Sequence, residues 1–203
     1  MQHDFRNVYA DDARAESYAG LEYPGTYYLA FRDLPAIIER HVSGRAALDF
    51  GCGTGRSTRY LQGLGFSAVG VDIAAPMLGQ ARARDPEGDY RRVPDGDLSD
   101  LSGSQYDLVL STFTFDNIPN PEHRLRLFIA LGRLLSEQGR LINLVSSPDI
   151  YVNEWASFST RDFPENRSAG SGDAVRIVML DVEDRRPVED VMWTDSDYRD
   201  LYR

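Results

Sequence analysis

Short apolar runs alternate with longer amphipathic stretches through the middle of the chain. The runs that predict buried strands are 46–50, 67–72, 89–93, 106–111 and 139–145. The segments between them, such as 122–136, predict helices. Strands that alternate with helices are typical of a mostly parallel sheet with helices on both faces. The pattern therefore predicts an α/β fold, a Rossmann-like three-layer α/β/α sandwich, over residues 43–147.

The segments on either side of this core have different patterns. Residues 1–42 are rich in aromatic side chains, and a resemblance to a known family, given below, implies that they form a helical lid. Residues 148–203 mix aromatic and polar groups, which suits a lid or wall on the substrate side. Within them, 174–181 and 188–193 predict a β-hairpin. We expect the whole chain, 1–203, to be a single domain.

A glycine-rich loop joins the first strand to the first core helix. Gly51, Gly53 and Gly55 alternate with other residues, and Asp49 lies at the end of the strand. Glycine lets a backbone bend sharply and approach a ligand, and ligands bind at the carboxyl ends of parallel strands. Dinucleotide enzymes use G-x-G-x-x-G to bind a pyrophosphate, which Asp49 would repel. The loop therefore favours a ligand with a cationic amino group.

The loop resembles the first motif of the class I S-adenosylmethionine-dependent methyltransferases. Three later segments resemble the family's next motifs: Asp72 at the end of the second strand, Asp97 in a Gly-Asp-Leu step, and Tyr106-Asp107 at the start of the fourth strand. The resemblance covers residues 42–147. It implies S-adenosylmethionine as methyl donor, S-adenosylhomocysteine as product, and transfer to an oxygen or nitrogen of a small molecule.

The resemblance also implies roles for individual residues. Asp72 is expected to accept hydrogen bonds from the ribose hydroxyls, Met77 to line the adenine pocket, and Asp97 to meet the adenine amino group. Tyr9 and Tyr18 are candidates for contact with the methionine carboxylate. The full set of expected cofactor-binding residues is Tyr9, Tyr18, Asp49, Gly51, Cys52, Gly53, Gly55, Asp72, Ile73, Met77, Asp97, Leu98, Ser111 and Thr112.

The catalytic groups are less clearly marked. Methyl transfer is an in-line displacement in which the protein mainly aligns the reactants and excludes water, sometimes with a base. His123 and Asp116 are the candidate bases, and both lie near the loop after the fourth strand. One alternative is a cofactor-binding protein of this fold that transfers no methyl group. A nicotinamide oxidoreductase is disfavoured by the glycine spacing and by Asp49.

The end of the chain leaves two points open. The family's core ends with an antiparallel strand pair, and the predicted hairpin is either that pair or, as we favour, an insert before it. Residues 194–203 begin like a capped helix without a C-terminal signal, so two alternatives stay open: a complete chain, or a truncated or partly ordered one whose sheet would have an exposed edge.

Composition narrows the partners and the compartment. The net charge is -10, which disfavours nucleic acids and anionic membrane surfaces. All 22 basic residues are arginine, which excludes Schiff-base chemistry on lysine. A single cysteine, Cys52, allows no disulfide within the chain, and neither a signal peptide nor a membrane-spanning run is evident. We therefore expect a cytoplasmic protein, without a metal site.

Overall fold

A computed structural model describes residues 8–23, 25–103 and 105–203; residues 1–7 of the predicted lid lie outside the described part. The main sheet has five parallel strands in the order β3-β2-β1-β4-β5. They are β1 (Ala46–Phe50), β2 (Ser67–Asp72), β3 (Asp89–Arg92), β4 (Tyr106–Thr112) and β5 (Leu135–Leu144). The predicted parallel sheet is confirmed.

Helices cover the sheet and its carboxyl edge. Those between strands are α4 (Arg56–Gly63), α5 (Ala75–Arg84) and α6 (Pro121–Arg133). Those at the ends of the chain are α1 (Asp12–Ala19), α2 (Thr26–Arg32), α3 (Leu34–His41) and α7 (Asp195–Leu201). None of the helices in the described ranges has the length and apolarity needed to cross a bilayer.

Each central strand contributes side chains to both faces of the sheet. Leu48 and Val109 pack on one face with Leu131 of α6, whereas Ala47 and Leu108 pack on the other, against α3 and α4. All five side chains are fully buried. Burying a leucine-sized side chain contributes about 1.5–3 kcal/mol. The two apolar layers therefore hold the carboxyl ends of the strands in fixed positions.

The last strand of the sheet begins earlier than the sequence pattern predicts. Helix α6 ends at Arg133 and β5 starts at Leu135, where a turn was expected. The amide of Tyr106 donates to the carbonyl of Leu134 at 2.8 Å, so pairing with β4 begins directly after the helix. A register shift follows before Leu108. The sequence prediction placed the strand start wrongly because this pairing is a long-range contact.

A second, antiparallel sheet lies outside the main one. Its strands are β6 (Phe158–Ser159), β7 (Ala174–Met179) and β8 (Val188–Val191), in that order. The predicted hairpin is β7-β8, and the expectation that it is an addition beside the main sheet is confirmed. Tyr27 of α2 packs against Phe158 and Met179 of this sheet. The N-terminal helices and the second sheet thus cover the same edge of the core.

An ion pair joins α1 to the loop between β7 and β8. Nε of Arg14 lies 3.3 Å from Oδ2 of Asp184, and both side chains are largely buried. The guanidinium of Arg14 also donates to the carbonyls of Arg186 and Pro187 at 3.4 Å, and the amide of Asp184 donates to Oγ of Ser17. These contacts hold the two covering segments together.

Candidate active site

A cavity of about 620 Å³ lies at the carboxyl ends of β1, β2 and β4. The glycine loop and the tip of β2 form one side of it. The second sheet, α2 and the segment after β5 form the other, where aromatic side chains predominate. This is the position at which open α/β sheets bind ligands. A cofactor and an acceptor molecule could therefore meet within one enclosure.

The glycine loop is shaped by close backbone approach. Gly51 has φ +73°, and a Cβ built on it would lie 2.1 Å from Oγ1 of Thr114. That hydroxyl donates to the carbonyl of Phe50 at 3.1 Å. The amides of Gly51 and Cys52 both donate to the carbonyl of Val71, at 2.8 and 3.0 Å. The loop is thus tied to β2 and β4, and only glycine fits at position 51.

Asp72 fixes the loop from the tip of β2. Its two carboxylate oxygens accept hydrogen bonds from the amides of Gly53 and Ala74, both at 2.8 Å. Burial raises the pKa of Asp72 in spite of these bonds. The side chain lines the cavity beside Ile73 and Met77, as predicted. A carboxylate has about four acceptor sites, so Asp72 keeps the capacity to accept a hydroxyl group of a ligand beside these bonds.

Asp49 lies beneath the loop and is fully buried. Its Oδ2 accepts hydrogen bonds from the hydroxyls of Ser57 and Thr58, at 2.7 and 2.6 Å. Its Oδ1 has no hydrogen-bond partner within the described residues. Burial raises the pKa of Asp49 to about 6. The side chain anchors the first turn of α4 and does not reach the cavity wall.

The other residues predicted around the loop divide into two groups. Gly53, Cys52 and Thr112 line the cavity. Gly55 and Ser111 do not: a Cβ on Gly55 would lie 2.6 Å from the hydroxyl oxygen of Tyr90, and Ser111 is fully buried. Gly55 and Ser111 therefore lie behind the residues that line the cavity and pack against neighbouring side chains there.

The Gly-Asp-Leu step after β3 is only partly at the cavity. Gly96 lines it, whereas Asp97 and Leu98 do not. Asp97 is exposed and accepts a hydrogen bond from the amide of Ser99 at 2.9 Å, and Leu98 packs in the core. The structure does not bring the Asp97 carboxylate to the cavity. Its contact with adenine stays a prediction.

Two predicted tyrosines of the N-terminal segment do line the cavity. The rings of Tyr9 and Tyr18 meet edge to face, with centroids 5.6 Å apart. Both pack against Met77 and Ala74. Burial raises the pKa of Tyr9 well above its usual value. The N-terminal helices therefore lie over the cofactor side of the cavity, as the sequence predicted.

The sequence reasoning missed Arg56, the first residue of α4. Its side chain is buried and lines the cavity. The guanidinium carbon lies 4.9 to 5.8 Å from the ring centroids of four aromatic residues, and Nη1 donates to the carbonyl of Glu22 at 2.8 Å. The rings belong to Tyr18, Tyr23, Tyr27 and Phe31.

This buried cation has no carboxylate within ion-pair distance among the described residues. A positive side chain is also unfavourable in the first turn of a helix, because the helix dipole is positive there. An arginine directly after a glycine loop was the available sequence signal. Arg56 is thus placed to bind an anionic group of a ligand.

The two predicted bases lie in different surroundings. Asp116 is buried, and its oxygens accept hydrogen bonds from the amide of Ser146 at 2.9 Å and the hydroxyl of Tyr198 at 3.1 Å. Burial raises its pKa to about 6. His123 lines the cavity beside Gly96, and its amide donates to Oδ1 of Asn120 at the start of α6.

A second acid at the acceptor side was also missed. Asp190 of β8 lines the cavity, and its Oδ2 accepts a hydrogen bond from the hydroxyl of Tyr151 at 3.1 Å. Burial, reinforced by the charge of Asp116, raises the pKa of Asp190 to about 8. The predicted strand 188–193 was the available signal, and a strand assignment alone does not tell which of its faces meets a cavity.

Comparison with known proteins assigns this site to a class. Residues 48–143 match the family model described as "Methyltransferase domain". An uncharacterized methyltransferase of Bacillus licheniformis is 31% identical over 120 residues, which cover 57% of this chain and 55% of that protein. The ubiquinone biosynthesis O-methyltransferase of Bordetella pertussis is 32% identical over 96 residues, 45% of this chain and 40% of that protein.

Among solved structures, CalS10 with bound S-adenosylmethionine is similar over the whole chain. It is described as an amino pentose methyltransferase of Micromonospora echinaspora, and it matches with a TM-score of 0.65 at 18% identity, covering 100% of this chain and 89% of that one. The chain therefore has the fold of the class I S-adenosylmethionine-dependent methyltransferases, and residues 48–143 match a methyltransferase domain. The predicted resemblance is confirmed. The chain spans about half the length of the curated relatives it matches.

The residues on the loop side fit S-adenosylmethionine. The floor of the loop has no Cβ at Gly51 and Gly53, so a ligand can approach the backbone. Asp72 offers carboxylate oxygens for the ribose, and Arg56 offers the methionine carboxylate a guanidinium that has no carboxylate partner among the described residues. Met77 and Ile73 supply apolar surface for the adenine ring.

Proposed function

We propose that this protein transfers a methyl group from S-adenosylmethionine to an oxygen or nitrogen atom of a small molecule. One observation carries the proposal: the loop that fits the cofactor and an aromatic chamber line a single cavity of about 620 Å³. A chamber of that size admits a small acceptor beside the cofactor and excludes a folded macromolecule. The relatives named for ubiquinone biosynthesis and for an amino pentose support a small acceptor.

The side chains would act mainly by binding and alignment. S-adenosylmethionine supplies an electrophilic methyl group, and the electron pair of the broken carbon–sulfur bond stays on sulfur. Asp72 and Arg56 would hold the two ends of the cofactor, while Tyr9 and Tyr18 close the cavity against water. Alignment of reactants is worth up to about 7–11 kcal/mol of barrier in model reactions.

Asp116 and His123, the two predicted bases, both stay in the proposal, but their surroundings differ. Asp116 lies on the acceptor side, but both of its oxygens already accept hydrogen bonds. His123 lies next to Gly96, away from the second sheet. Asp116 is therefore proposed to supply negative charge to the chamber rather than to remove a proton.

The proposed setting follows from composition. A net charge of -10 supports a small molecule rather than a nucleic acid as the acceptor. A single cysteine supports the cytoplasm as the compartment.

Calorimetry with S-adenosylmethionine and S-adenosylhomocysteine tests the proposal. We expect both to bind the wild type, and we expect Gly53→Arg and Asp72→Ala to lose binding. Gly79→Arg is the matched control, because a Cβ on Gly79 meets no atom within 4 Å. No affinity of the folded wild type for either ligand would overturn the proposal. Binding without any methylated product across candidate acceptors would favour a cofactor-binding protein that transfers no methyl group.

A further inference from the structure

Two carboxyl groups line the acceptor side of the cavity. Asp116, from the short 3-10 helix Phe115–Asn117, and Asp190, from β8, both line it, and β8 packs against that helix. Asp116 is buried and Asp190 is half-buried, so a charge on Asp116 in particular is poorly screened by water. Arg56 is the only arginine among the described residues that line the cavity, and it is packed among aromatic rings.

Asp190 accepts fewer hydrogen bonds than Asp116 among the described residues. The hydroxyl of Tyr151 donates to its Oδ2 at 3.1 Å, and this is the only hydrogen bond to the carboxylate within the described residues. Tyr151 is itself 2% exposed, and its carbonyl accepts from Nδ2 of Asn166 at 2.9 Å. A rigid hydroxyl thus orients Asp190 while the rest of the carboxylate stays free to accept a ligand.

Aromatic rings line the same cavity as this carboxylate. The ring centroid of Tyr27 lies 5.0 Å from that of Phe158 and 6.5 Å from that of Phe113, and all three side chains line the cavity. Aromatic faces attract cations, above all where water is excluded. Negative charge and aromatic walls together are the chemistry that recognises an ammonium group.

We propose that the methyl acceptor is an amine, and that Asp190, oriented by Tyr151, binds its ammonium form and takes up its proton. This inference rests on the proposed function and narrows the acceptor atom to nitrogen. A neutral alcohol would gain little from two carboxyl groups, since it has no charge to offset their desolvation. With a neutral acceptor, no interaction would offset the free-energy cost of burying the two carboxyl groups.

In the proposed step, the ammonium group of the acceptor transfers a proton to Asp190. The bound pair consists of an ammonium and the Asp190 carboxylate. One N–H bond breaks, its electron pair stays on nitrogen as the lone pair needed for attack, and the proton bonds to a carboxylate oxygen. After methylation the product is again an ammonium, and the Asp190 proton leaves to solvent. The raised pKa of Asp190, about 8, brings the carboxyl group close to the pKa range of amines and makes this transfer easy.

The pKa of Asp190, and with it the pH dependence of amine binding, depends on the ionisable groups around it. Burial dominates, the charges of Asp116 and Glu189 reinforce it, and the bond from Tyr151 opposes it. The phenols of Tyr9 and Tyr27 also lie within electrostatic reach of Asp190. At pH 7 the free protein therefore holds a proton on Asp190, which an arriving ammonium would displace.

Calorimetric titration with benzylamine and with benzyl alcohol, in protein saturated with S-adenosylhomocysteine, tests the inference. We expect benzylamine to bind at least tenfold more tightly than the alcohol. Titrations at pH 7 in buffers of different ionisation enthalpy should show release of close to one proton per amine bound. Asp190→Asn should weaken amine binding at least tenfold and abolish the proton release, with S-adenosylhomocysteine affinity unchanged.

Two further variants keep the test decisive. Glu189→Gln, on the opposite face of the same strand, should bind the amine like the wild type. Tyr151→Phe keeps the carboxylate but removes its donor, so it should raise the pH at which amine binding is half-maximal. Preference for the alcohol, binding of neither probe, or proton release that survives in Asp190→Asn would each overturn the inference. Failure of S-adenosylhomocysteine to bind would instead overturn the proposed function.

Discussion

The variant Gly51→Ala adds one methyl group and tests whether the cofactor site depends on the geometry of the glycine loop. In Gly51→Ala, the new Cβ would lie 2.1 Å from Oγ1 and 2.4 Å from Cγ2 of Thr114, and the backbone keeps φ +73°. The left-handed conformation alone costs about 1–2 kcal/mol for alanine. Overpacking against Thr114 adds about 1–3 kcal/mol. We therefore expect Gly51→Ala to be clearly more destabilising than conformational strain explains.

The chain supplies a control for the strain. Gly65 has φ +86°, and a Cβ there meets no atom within 4 Å. Gly65→Ala should lower the free energy of unfolding by about 1–2 kcal/mol, the backbone cost alone. The difference between the two variants isolates the clash with Thr114.

Urea unfolding of a double-mutant cycle measures the clash directly. Thr114→Gly removes every atom that the new Cβ would meet, so its combination with Gly51→Ala should recover about 1–3 kcal/mol as coupling energy. Gly51→Ala should also weaken binding of S-adenosylmethionine, because the displaced loop forms the cofactor side of the cavity. Equal destabilisation by Gly51→Ala and Gly65→Ala, or a coupling energy near zero, would refute the reasoning.

Three further predictions concern buried charges. The pKa of Asp49 is raised to about 6, so its ionised form destabilises the fold above that pH, and the cost fades as pH falls towards the unfolded value of 3.8. Asp49→Asn should raise the free energy of unfolding, measured with urea, by about 3 kcal/mol at pH 7 and leave it unchanged near pH 4. A variant no more stable than the wild type at pH 7 would contradict this prediction. Arg56→Met should weaken calorimetric binding of S-adenosylmethionine by about tenfold or more, whereas Arg59→Met on the same helix should not; equal effects would refute a role in binding. Asp184→Asn breaks the pair with Arg14 and should speed cofactor release in stopped-flow measurements; an unchanged rate would show that these segments do not control release.

Local sequence signals were sufficient for the parallel core. The run Ala46–Phe50 is apolar apart from Asp49, and glycines follow directly, so a buried strand and a tight loop were both predictable. Asp72 was predictable for the same reason, since it ends an apolar strand at a fixed distance from the loop. Such features depend on neighbours within one strand-loop-helix unit.

The residues that were missed depend on packing between distant segments. Arg56 is surrounded by rings from α1, α2 and the segment between them, and no local pattern records that enclosure. Asp190 meets Tyr151 and the field of Asp116 only because the second sheet folds over the β4 end. The motif position of Asp97 suggested a contact with adenine, which stays a prediction; in the structure its carboxylate accepts a hydrogen bond from the amide of Ser99 in a local turn.

The position of Asp190 also bears on the rate constant of methyl transfer. Methyl transfer to an amine moves positive charge from sulfur to nitrogen as the new bond forms. In the proposed step Asp190 has already taken up the proton of the acceptor, so it contributes to the rate by freeing the nitrogen lone pair for attack, whereas the proposed contact of Asp72 with the ribose is the same before and after transfer. Only interactions that strengthen in the transition state raise the rate. Replacing Asp190 with asparagine should therefore lower the rate constant of methyl transfer from the bound state as well as amine affinity, while substitutions at Asp72 should act mainly through cofactor affinity.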